Sequence, residues 1–403
     1  MTTAQKIEAL QRRSEKIISP EELAKRLDAS ERSGKPLRIK LGMDPTAPDV
    51  TLGHCVPLKI VRQFQDWGHK AVLIIGDYTA RVGDPTGRNA LRPKLEGEQI
   101  DANARTYVAQ VAKILRTEPE HLEVRYNGEW LGKMNMIDVI GLLSKKTVDQ
   151  LLSRDDFSKR FADKTPIFLH ELFYPLLQGW DSVVIDADIE LGGNDQLFNN
   201  LVGRELQQGE GKQGQLVIVT PLLVGTDGTM KMSKSKGNYI GVTDPATGDG
   251  GMFGKVMRLP DALLESYYTL LTDEPLDEVR RAITASPRDA KVSLAKRLIT
   301  WLHTAEEAQN AHKQFETAMH GGIPDDVPEL EIEKGEHKPV MLLVKAGFAT
   351  SNSEGNRKLK EGAVRIDGEK ISPEKANEVI MIDRPTVLQL GNRRFVRLVP
   401  KGS

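Results

Sequence analysis

The stretch that decides the fold is LRIKLGMDPTAPDVTLGHCVPLKIVRQFQDW, residues 37–67. Residues 37–41 alternate in the manner of a β-strand, and a turn rich in proline and aspartate follows. From there to residue 67 the apolar residues recur at helical spacing, so strand, loop and helix follow one another. The first N–H groups of such a helix have no partner within it and can face a bound phosphate. Gly53 would let a ligand approach the backbone there, and His54 would add a side-chain donor.

A second stretch, GTDGTMKMSKSKGN at residues 225–238, has the composition of a mobile cationic loop. Its three glycines give the backbone freedom, while Lys231 and Lys234 place two positive charges close together. Charges on a movable loop suit a polyphosphate that must be neutralised during a reaction and released afterwards. A solvated basic turn would explain this loop if it stood alone. Its order and separation from His54 favour a shared function for the two stretches.

Together the two stretches resemble the signature motifs of class I aminoacyl-tRNA synthetases. TLGH at 51–54 is similar to the HIGH motif, and residues 231–235 spell KMSKS letter for letter. Three further motifs are similar to those of tyrosyl-tRNA synthetases. They are the glycine-rich stretch GDYTARVGDPTGR at 76–88, the pocket helix YPLLQGWD at 174–181 and the adenosine loop GGNDQ at 192–196. Five motifs in this order identify the chain as a candidate member of that family.

The resemblance implies amino-acid activation, in which the substrate carboxylate attacks the α-phosphorus of ATP and no protein nucleophile is needed. The loop residues Lys231 and Lys234 would neutralise the departing pyrophosphate. Other residues are implied in catalysis or in binding ATP: Gly42, Asp44, Thr51, Gly53, His54, Arg88, Gly193 and Asp195. ATP is then a substrate, Mg²⁺ is expected as its companion, and no protein-bound metal is expected.

The pocket helix would carry the amino-acid specificity. Tyr174, Gln178 and Asp181 are spaced i, i+4 and i+7 and therefore share one helix face. The resemblance makes Asp181 the acceptor for the phenol hydroxyl of L-tyrosine. It places Tyr174, Gln178 and Asp84 at the α-ammonium group and Gln196 near the carboxylate. Phenylalanine would leave the Asp181 carboxylate unpaired, a discrimination for which tyrosyl-tRNA synthetases are the standard example.

Two positions depart from the family pattern. Thr51 stands in place of the first histidine of HIGH, where its hydroxyl can still donate to a phosphate. Lys40 stands where many bacterial relatives have a tyrosine that also touches the substrate hydroxyl. Asp77 or another residue would have to replace that contact, and Asp181 carries more of the specificity.

The composition excludes several classes of protein. The chain has 403 residues, 39% of them hydrophobic, and Cys55 is its single cysteine, which excludes an intramolecular disulfide. No apolar run is long enough to span a membrane and no signal-peptide core opens the sequence, so a cytoplasmic location is expected. No P-loop pattern occurs, and HELFY at 170–174 lacks the second histidine of a zinc-protease helix.

The pattern of elements predicts an α/β fold with a Rossmann-like parallel sheet. Helical segments alternate with strand signals at 37–41, 71–75, 183–186 and 216–219. We expect a catalytic domain over residues 1–225 that starts with a mainly helical segment. A connective insertion is expected at about 117–182, which in the family makes the interface of a homodimer. Residues 226–320 would hold the KMSKS loop and an α-helical bundle on the anticodon side.

The last part of the chain predicts a small RNA-binding domain after an acidic linker at 321–337. Residues 338–403 have 13 Lys and Arg against 7 Asp and Glu, a charge of +6, although the whole chain carries −1. SNSE at 351–354 predicts a helix start, and Asp-Gly at 367–368 predicts a hairpin turn. This arrangement resembles the α+β S4 module, whose RNA contacts would come from Arg357, Lys358, Lys360 and Arg365. A basic domain without a ligand is the plain alternative.

Three functions are compatible with these patterns. The first is activation of tyrosine and its transfer to the 3′ end of tRNA(Tyr). The second is activation of tryptophan, or a related nucleotidyl transfer, on the same scaffold. Asp181 and Tyr174 argue against tryptophan because an indole offers a single donor and a larger ring. The third is a non-catalytic RNA-binding derivative, against which the joint presence of His54, Lys231 and Lys234 argues.

Overall fold

The computed structural model describes residues 1–85, 97–248, 250–319, 323, 327–391 and 394–401. The chain divides into two units. The first contains Met1–Thr243 and Pro260–Arg281, and the second contains Asp244–Leu259 and Ala282–Ser403. Among the residues described, no helix combines the length and the apolar character that crossing a membrane requires.

Six strands of the first unit form one sheet. They are β1 (Lys16–Ile18), β2 (Arg38–Met43), β3 (Lys70–Ile75), β4 (Leu122–Tyr126), β5 (Ile189–Gly193) and β6 (Leu216–Thr220). Their order is β1-β6-β5-β2-β3-β4. Every neighbouring pair is parallel except β1 and β6, which are antiparallel at one edge. Nearly every residue of β3 and β6 is buried, as expected of parallel strands covered on both faces. The predicted Rossmann-like sheet is confirmed.

Helices connect these strands. They are α1 (Thr3–Gln11), α2 (Pro20–Ser33), α3 (Leu52–Asp66), α4 (Thr79–Val82), α5 (Gly97–Val111), α6 (Gly128–Leu131), α7 (Met136–Leu143), α8 (Val148–Leu152), α9 (Asp155–Ala162), α10 (Leu169–Val184) and α11 (Leu197–Gly209). The helix α3 packs against β2, β3, β5 and β6, and α10 packs against α11. These contacts place the start of α3 and one face of α10 at the carboxyl end of the sheet.

The structure corrects three expectations about the first unit. The strand predicted at 183–186 is wrong, because α10 extends to Val184 and the strand β5 follows five residues later. Apolar residues at the end of α10 continue a helical stripe, whereas the glutamate and two glycines of β5 hide its strand character. The N-terminal segment is not helical throughout, since β1 separates α1 from α2. The predicted insertion contains β4, which belongs to the central sheet.

The second unit contains helices and a small α+β domain. The helices α12 (Met252–Met257), α15 (Pro287–Leu302) and α16 (Ala305–Met319) pack together. The helix α13 (Leu264–Leu271) belongs to the first unit, and α14 (Leu276–Ala285) contains the boundary between the units.

The small domain has two helices and seven strands among its described residues. These are α17 (Pro339–Lys345), α18 (Asn352–Lys360), β7 (Glu329–Ile332), β8 (Gly335–His337), β9 (Val364–Ile366), β10 (Glu369–Lys370), β11 (Ile380–Ile382), β12 (Thr386–Leu390) and β13 (Arg394–Pro400). One sheet has the order β10-β9-β12-β13-β7, and β11 pairs with β8. The predicted helix start is present, because the Ser351 hydroxyl accepts from the N–H of Glu354 at 3.2 Å. The predicted hairpin turn is present too, since Asp367 and Gly368 both have positive φ between β9 and β10.

Part of the segment expected to be an acidic linker is structured. The strand β7 pairs in parallel with β13, and β8 pairs with β11. Ile332 on β7 is buried in the core of the small domain. Leu330 and Ile332 alternate with the acidic residues, a period of two that is typical of a strand with one buried face. The small domain therefore begins by residue 329 and not at residue 338.

Candidate active site

A cavity of about 1540 Å³ lies at the carboxyl ends of β2, β3, β5 and β6. Open parallel sheets bind ligands at this position. All five sequence motifs contribute to its lining. The predicted site residues brought together there are Gly42, Asp44, Thr51, Gly53, His54, Asp84, Tyr174, Gln178, Asp181, Gly193, Asp195, Gln196, Lys231 and Lys234. Arg88, a predicted catalytic residue, lies outside the described residues.

The start of α3 holds His54 in one tautomer. Thr51 is the residue before the helix, and its N–H donates to His54 Nδ1 at 3.1 Å. Nδ1 therefore accepts and the ring hydrogen is on Nε2. Burial lowers the pKa of His54 to about 4, and the nearby charge of Lys231 acts in the same direction. His54 is therefore a neutral donor at neutral pH.

The lysine loop, residues 225–238, is shaped by Asn238. The Asn238 side chain accepts from the N–H of Ser233 at 2.8 Å and donates to the Lys231 carbonyl at 3.2 Å. It also donates to Asp227 at 2.8 Å. A Cβ on Gly225 would lie 2.3 Å from the Asn238 amide, so only glycine fits there. Sequence reasoning did not single out Asn238, although it is the last residue of the motif stretch.

Each lysine of the KMSKS motif pairs with one carboxylate. Lys231 Nζ lies 2.7 Å from Asp195 Oδ2, and Lys234 Nζ lies 2.5 Å from Asp49 Oδ2. The two lysine side chains are 49% and 36% exposed. The loop therefore sits over the cavity through two exposed ion pairs. Asp49 was not predicted as a site residue, and only the folded arrangement brings it to Lys234.

At the other end of the cavity, Asp181 is held by two donors that sequence reasoning missed. Trp130 Nε1 donates to Asp181 Oδ1 at 2.9 Å, and Asn127 Nδ2 donates to Asp181 Oδ2 at 3.3 Å. Asp181 is 3% exposed, and this burial raises its pKa to about 7 while the charge of Lys40 acts in the opposite direction. Both donors follow β4, within the segment predicted to be an insertion, and no motif marks them.

Asp44, predicted at the ATP site, is joined to Asp181 by a chain of hydrogen bonds. Tyr174 donates its hydroxyl to Asp44 at 2.9 Å, and Thr79 Oγ1 donates to Asp44 at 2.8 Å. Asn127 Nδ2 also donates to Thr79 Oγ1 at 3.0 Å, so one chain of hydrogen bonds links Asp44 to Asp181. Burial raises the pKa of Asp44 to about 7, and the charges of Asp84 and Asp181 act in the same direction.

The remaining polar residues of the pocket form a second group around Asn199. Its Nδ2 donates to Gln178 Oε1 at 3.1 Å and to Gln196 Oε1 at 3.0 Å. Gln196 in turn donates to Asp84 at 2.9 Å. Three predicted tyrosine-binding residues are thus oriented by one buried amide. A Cβ on Gly42 would meet no protein atom within 4 Å, which leaves open space for a ligand at the end of β2.

Neither Lys40 nor Asp77 is placed where it could make the second contact to the substrate hydroxyl. Lys40 is fully buried and pairs with Glu190 at 2.8 Å. Asp77 accepts from the N–H of Gly128 at 2.8 Å. Neither residue is among the described residues that line the cavity. The expectation that Asp77 could replace that contact therefore gains no support from the geometry.

The four predicted RNA-contacting residues differ in exposure. Arg357 is 69% exposed and Lys360 is also exposed on α18. Lys358 pairs with Glu354 at 3.2 Å, and Arg365 donates to the Gly368 carbonyl at 3.2 Å. Arg357 Nε also lies 3.8 Å from Glu361 Oε1, so two of the four side chains are exposed and three have polar contacts within the domain.

Known proteins provide an independent comparison. The family model of class I tRNA synthetases (W and Y) matches residues 32–320, and that of the tyrosine–tRNA ligase SYY-like C-terminal domain matches residues 319–396. A tyrosine–tRNA ligase of Ralstonia nicotianae is 45% identical over 399 residues, 98% of this chain and 100% of the relative. One from Thermotoga maritima is 47% identical over 405 residues, 99% of this chain and 98% of the relative.

Solved structures agree with the fold. A tyrosyl-tRNA synthetase of Archaeoglobus fulgidus complexed with L-tyrosine matches with a TM-score of 0.62 and 22% identity, covering 77% of this chain and 100% of that chain. A C-terminally truncated mitochondrial tyrosyl-tRNA synthetase of Aspergillus nidulans matches with a TM-score of 0.63 and 22% identity, covering 77% and 93%. By the matching family models and the full-length relatives, the chain belongs to the class I tRNA synthetases, in the family of the tyrosine–tRNA ligases.

Proposed function

We propose that the chain activates L-tyrosine with ATP, releases pyrophosphate, and transfers the tyrosyl group to the 3′ end of tRNA(Tyr). The observation that carries this proposal is the set of residues that line the cavity. It has a buried acceptor, Asp181, at one end and two exposed lysines, Lys231 and Lys234, at the other. The end with Asp181 suits a phenol, and the end with the two lysines suits a triphosphate.

At the nucleotide end, the residues would act by binding and by neutralising charge. Asp195 would accept from the ribose hydroxyls of ATP, which frees Lys231 from its ion pair. Lys231 and Lys234 would then close over the β- and γ-phosphates as charge develops on pyrophosphate. His54 Nε2–H would donate to a phosphate oxygen at the start of α3. Mg²⁺ would enter bound to ATP and help to neutralise its phosphates.

At the amino-acid end, Asp181 would accept from the phenol hydroxyl of tyrosine. Its two donors fix the carboxylate, so a substrate without a hydroxyl leaves this buried acceptor with an unmet hydrogen bond. The second group, Asp84 with Gln178 and Gln196, would hold the α-ammonium and carboxylate groups. The substrate carboxylate would then lie between the two ends of the cavity, where it can attack the α-phosphorus.

An Asp181→Ala variant tests this assignment. Hydrogen bonds to charged groups contribute about 1.5–3 kcal/mol, so the preference for tyrosine over phenylalanine should fall about 10- to 100-fold. The measurement is kcat/KM for both amino acids in ATP–pyrophosphate exchange. Asp66→Ala, which removes an exposed carboxylate at the far end of α3, is the matched control. An unchanged preference in Asp181→Ala would refute the phenol contact.

We also propose that the small C-terminal domain binds tRNA, supported by the exposed Arg357 and Lys360 and by its net charge, which is +3 over residues 329–403 (14 Lys and Arg against 11 Asp and Glu). Changing both residues to glutamate should reduce tRNA charging at least about tenfold and leave tyrosine-dependent exchange intact, because phosphate contacts are lost. The control is Lys401→Glu, since Lys401 lies on the same domain and already pairs with Glu333. Charging that stays at the parental rate would contradict the RNA role. A cytoplasmic location fits this activity, since tRNA charging supplies translation.

A homodimer is the third part of the proposal. On α7, the apolar residues Met136, Ile137 and Ile140 are each more than half exposed. Exposed apolar patches of this kind mark protein interfaces, and two-fold dimers are the commonest assembly of soluble proteins. Sedimentation should give a dimer for the parent and a monomer for an Ile137→Asp, Ile140→Asp variant. A monomeric parent at micromolar concentration would contradict the proposal.

A further inference from the structure

A buried ion pair lies behind the amino-acid end of the cavity. Lys40 on β2 and Glu190 on β5 are register partners on neighbouring parallel strands. Their side chains are 0% and 1% exposed, and Nζ lies 2.8 Å from Oε1. Since neither side chain is among the described residues that line the cavity, the pair cannot contact a substrate there directly.

Stability alone does not explain such a pair. Taking two charges out of water costs free energy that their attraction often fails to offset, and well-packed apolar residues of similar volume usually stabilise a core as well or better. A fully buried lysine and glutamate in the middle of a catalytic sheet therefore point to a role in holding other groups.

The groups that Lys40 holds belong to α10. Its Nζ donates to the carbonyl of Gln178 at 2.9 Å and to Ser182 Oγ at 2.6 Å, in addition to its bond with Glu190. Ser182 Oγ also donates to Glu190 at 3.1 Å, and Gln215 donates to the same carboxylate. All three protons of the ammonium group are therefore engaged, and the pair is tied to one turn of α10.

That turn carries Asp181. Gln178 and Ser182 lie on either side of it in sequence, and the Asp181 carboxylate faces the cavity. Burial raises the pKa of Asp181 most, the charge of Lys40 lowers it, and the charge of Glu190 raises it. The hydrogen bonds of Lys40 and the charges of the Lys40–Glu190 pair thus act on Asp181, the residue that would accept from the phenol hydroxyl.

We propose that Lys40 and Glu190 are positioning residues for selectivity, and that they set the preference for tyrosine over phenylalanine by holding the turn of α10 around Asp181. The inference rests on the proposed function, because it takes tyrosine as a ligand of the cavity.

The test uses the full chain with Lys40→Met and Glu190→Met combined, which removes both charges and keeps an apolar filling of similar volume. Equilibrium binding of L-tyrosine and L-phenylalanine is measured by calorimetry, together with KM for ATP in exchange. We expect tyrosine affinity to fall about tenfold or more, with little change for phenylalanine and for the KM of ATP. A merely structural pair would not change the ratio of the two affinities.

Two further variants make the result decisive. The control, Arg26→Met with Glu22→Gln, removes another ion pair of the same unit. Its arginine is buried and donates to carbonyls just before β5 and β6. This control should leave the tyrosine-to-phenylalanine affinity ratio unchanged. Ser182→Ala is a small change that removes one link between the pair and α10. It should lower the tyrosine-to-phenylalanine affinity ratio a few-fold, and it provides a test that does not depend on the folding of the double variant.

The binding measurements distinguish a failure of the proposed function from a failure of this inference alone. A parent that binds no tyrosine overturns the proposed function and this inference with it. A parent that binds tyrosine, with an unchanged tyrosine-to-phenylalanine ratio in Ser182→Ala and in the folded double variant, overturns the inference alone. A lower ratio in these variants and an unchanged ratio in the control support it.

Discussion

The amino-acid end and the nucleotide end of the cavity are built in opposite ways. At the amino-acid end, Asp181 is almost fully buried and has two fixed donors. At the nucleotide end, Lys231 and Lys234 are 49% and 36% exposed, and each has an ion pair with one carboxylate. Exposed ion pairs contribute only about 0–1 kcal/mol, whereas breaking a buried polar contact costs considerably more.

Because the two ends differ in burial, one cavity can combine selectivity with turnover. In the proposed function, a fixed and buried acceptor would distinguish tyrosine from amino acids that lack its hydroxyl. The lysines, which are held only by exposed ion pairs, would leave Asp195 and Asp49 when the phosphates arrive and would return when pyrophosphate leaves. A change at one end should therefore leave the other end largely unaffected.

The largest effect is expected from Lys234→Ala. Removing a charge that meets the leaving pyrophosphate should lower kcat for activation about 10²- to 10³-fold, while tyrosine affinity stays within about twofold. Single-turnover adenylate formation and calorimetric tyrosine binding measure the two quantities. Lys236→Ala, on the same loop, should change kcat much less. Equal losses in rate and in tyrosine affinity would show that the two ends are not separate.

The pH dependence should also differ between the ends. The pKa of Asp181 and that of Asp44 are raised to about 7, so lowering the pH from 8 to 6 protonates these carboxylates and should raise KM for tyrosine up to about tenfold. His54 has a pKa of about 4 and stays neutral over this range, so kcat should show no histidine titration.

Steady-state exchange at saturating ATP between pH 6 and pH 8 measures both constants. The pH profile of KM for tyrosine should become flatter in Asp181→Asn, because that variant has no carboxyl group to titrate at this position. A flat KM for tyrosine in the parent, together with a kcat that falls below pH 6.5, would reverse the assignment of the titrating groups.

The smallest effect is expected from Asp49→Asn. Without its carboxylate, Lys234 no longer has to leave an ion pair before it meets the phosphates, so KM for ATP should fall about two- to fivefold. Asp66→Asn serves as the control at an exposed carboxylate. A KM for ATP that rises in Asp49→Asn would mean that this carboxylate helps to bind the nucleotide.

The sequence was sufficient to place both ends of the cavity, because their motifs lie in loops and on a helix face whose positions follow from the strand order. His54, Asp181 and the two lysines line the cavity as the motifs predicted. The sheet itself was predicted less well. The strand β5 was misplaced because two of its five residues are glycine, and β1 was missed because it is only three residues long.

The groups that support the site could not be predicted, because they depend on tertiary pairing. Trp130 and Asn127 reach Asp181 only after β4 has joined the sheet. Asp49 meets Lys234 across 185 residues of sequence, and no spacing rule connects them. The composition of β7 predicts a linker, because its acidic residues obscure the two apolar residues that mark its buried face.

In the proposed function, one cavity joins a tyrosine-specific acceptor to a loop that neutralises the phosphates of ATP. The most direct test is ATP–pyrophosphate exchange by the full chain with each of the twenty amino acids and without tRNA. We expect exchange with tyrosine only. Exchange with a different amino acid would contradict the Asp181 assignment, and no exchange with any amino acid would contradict the proposed activation itself.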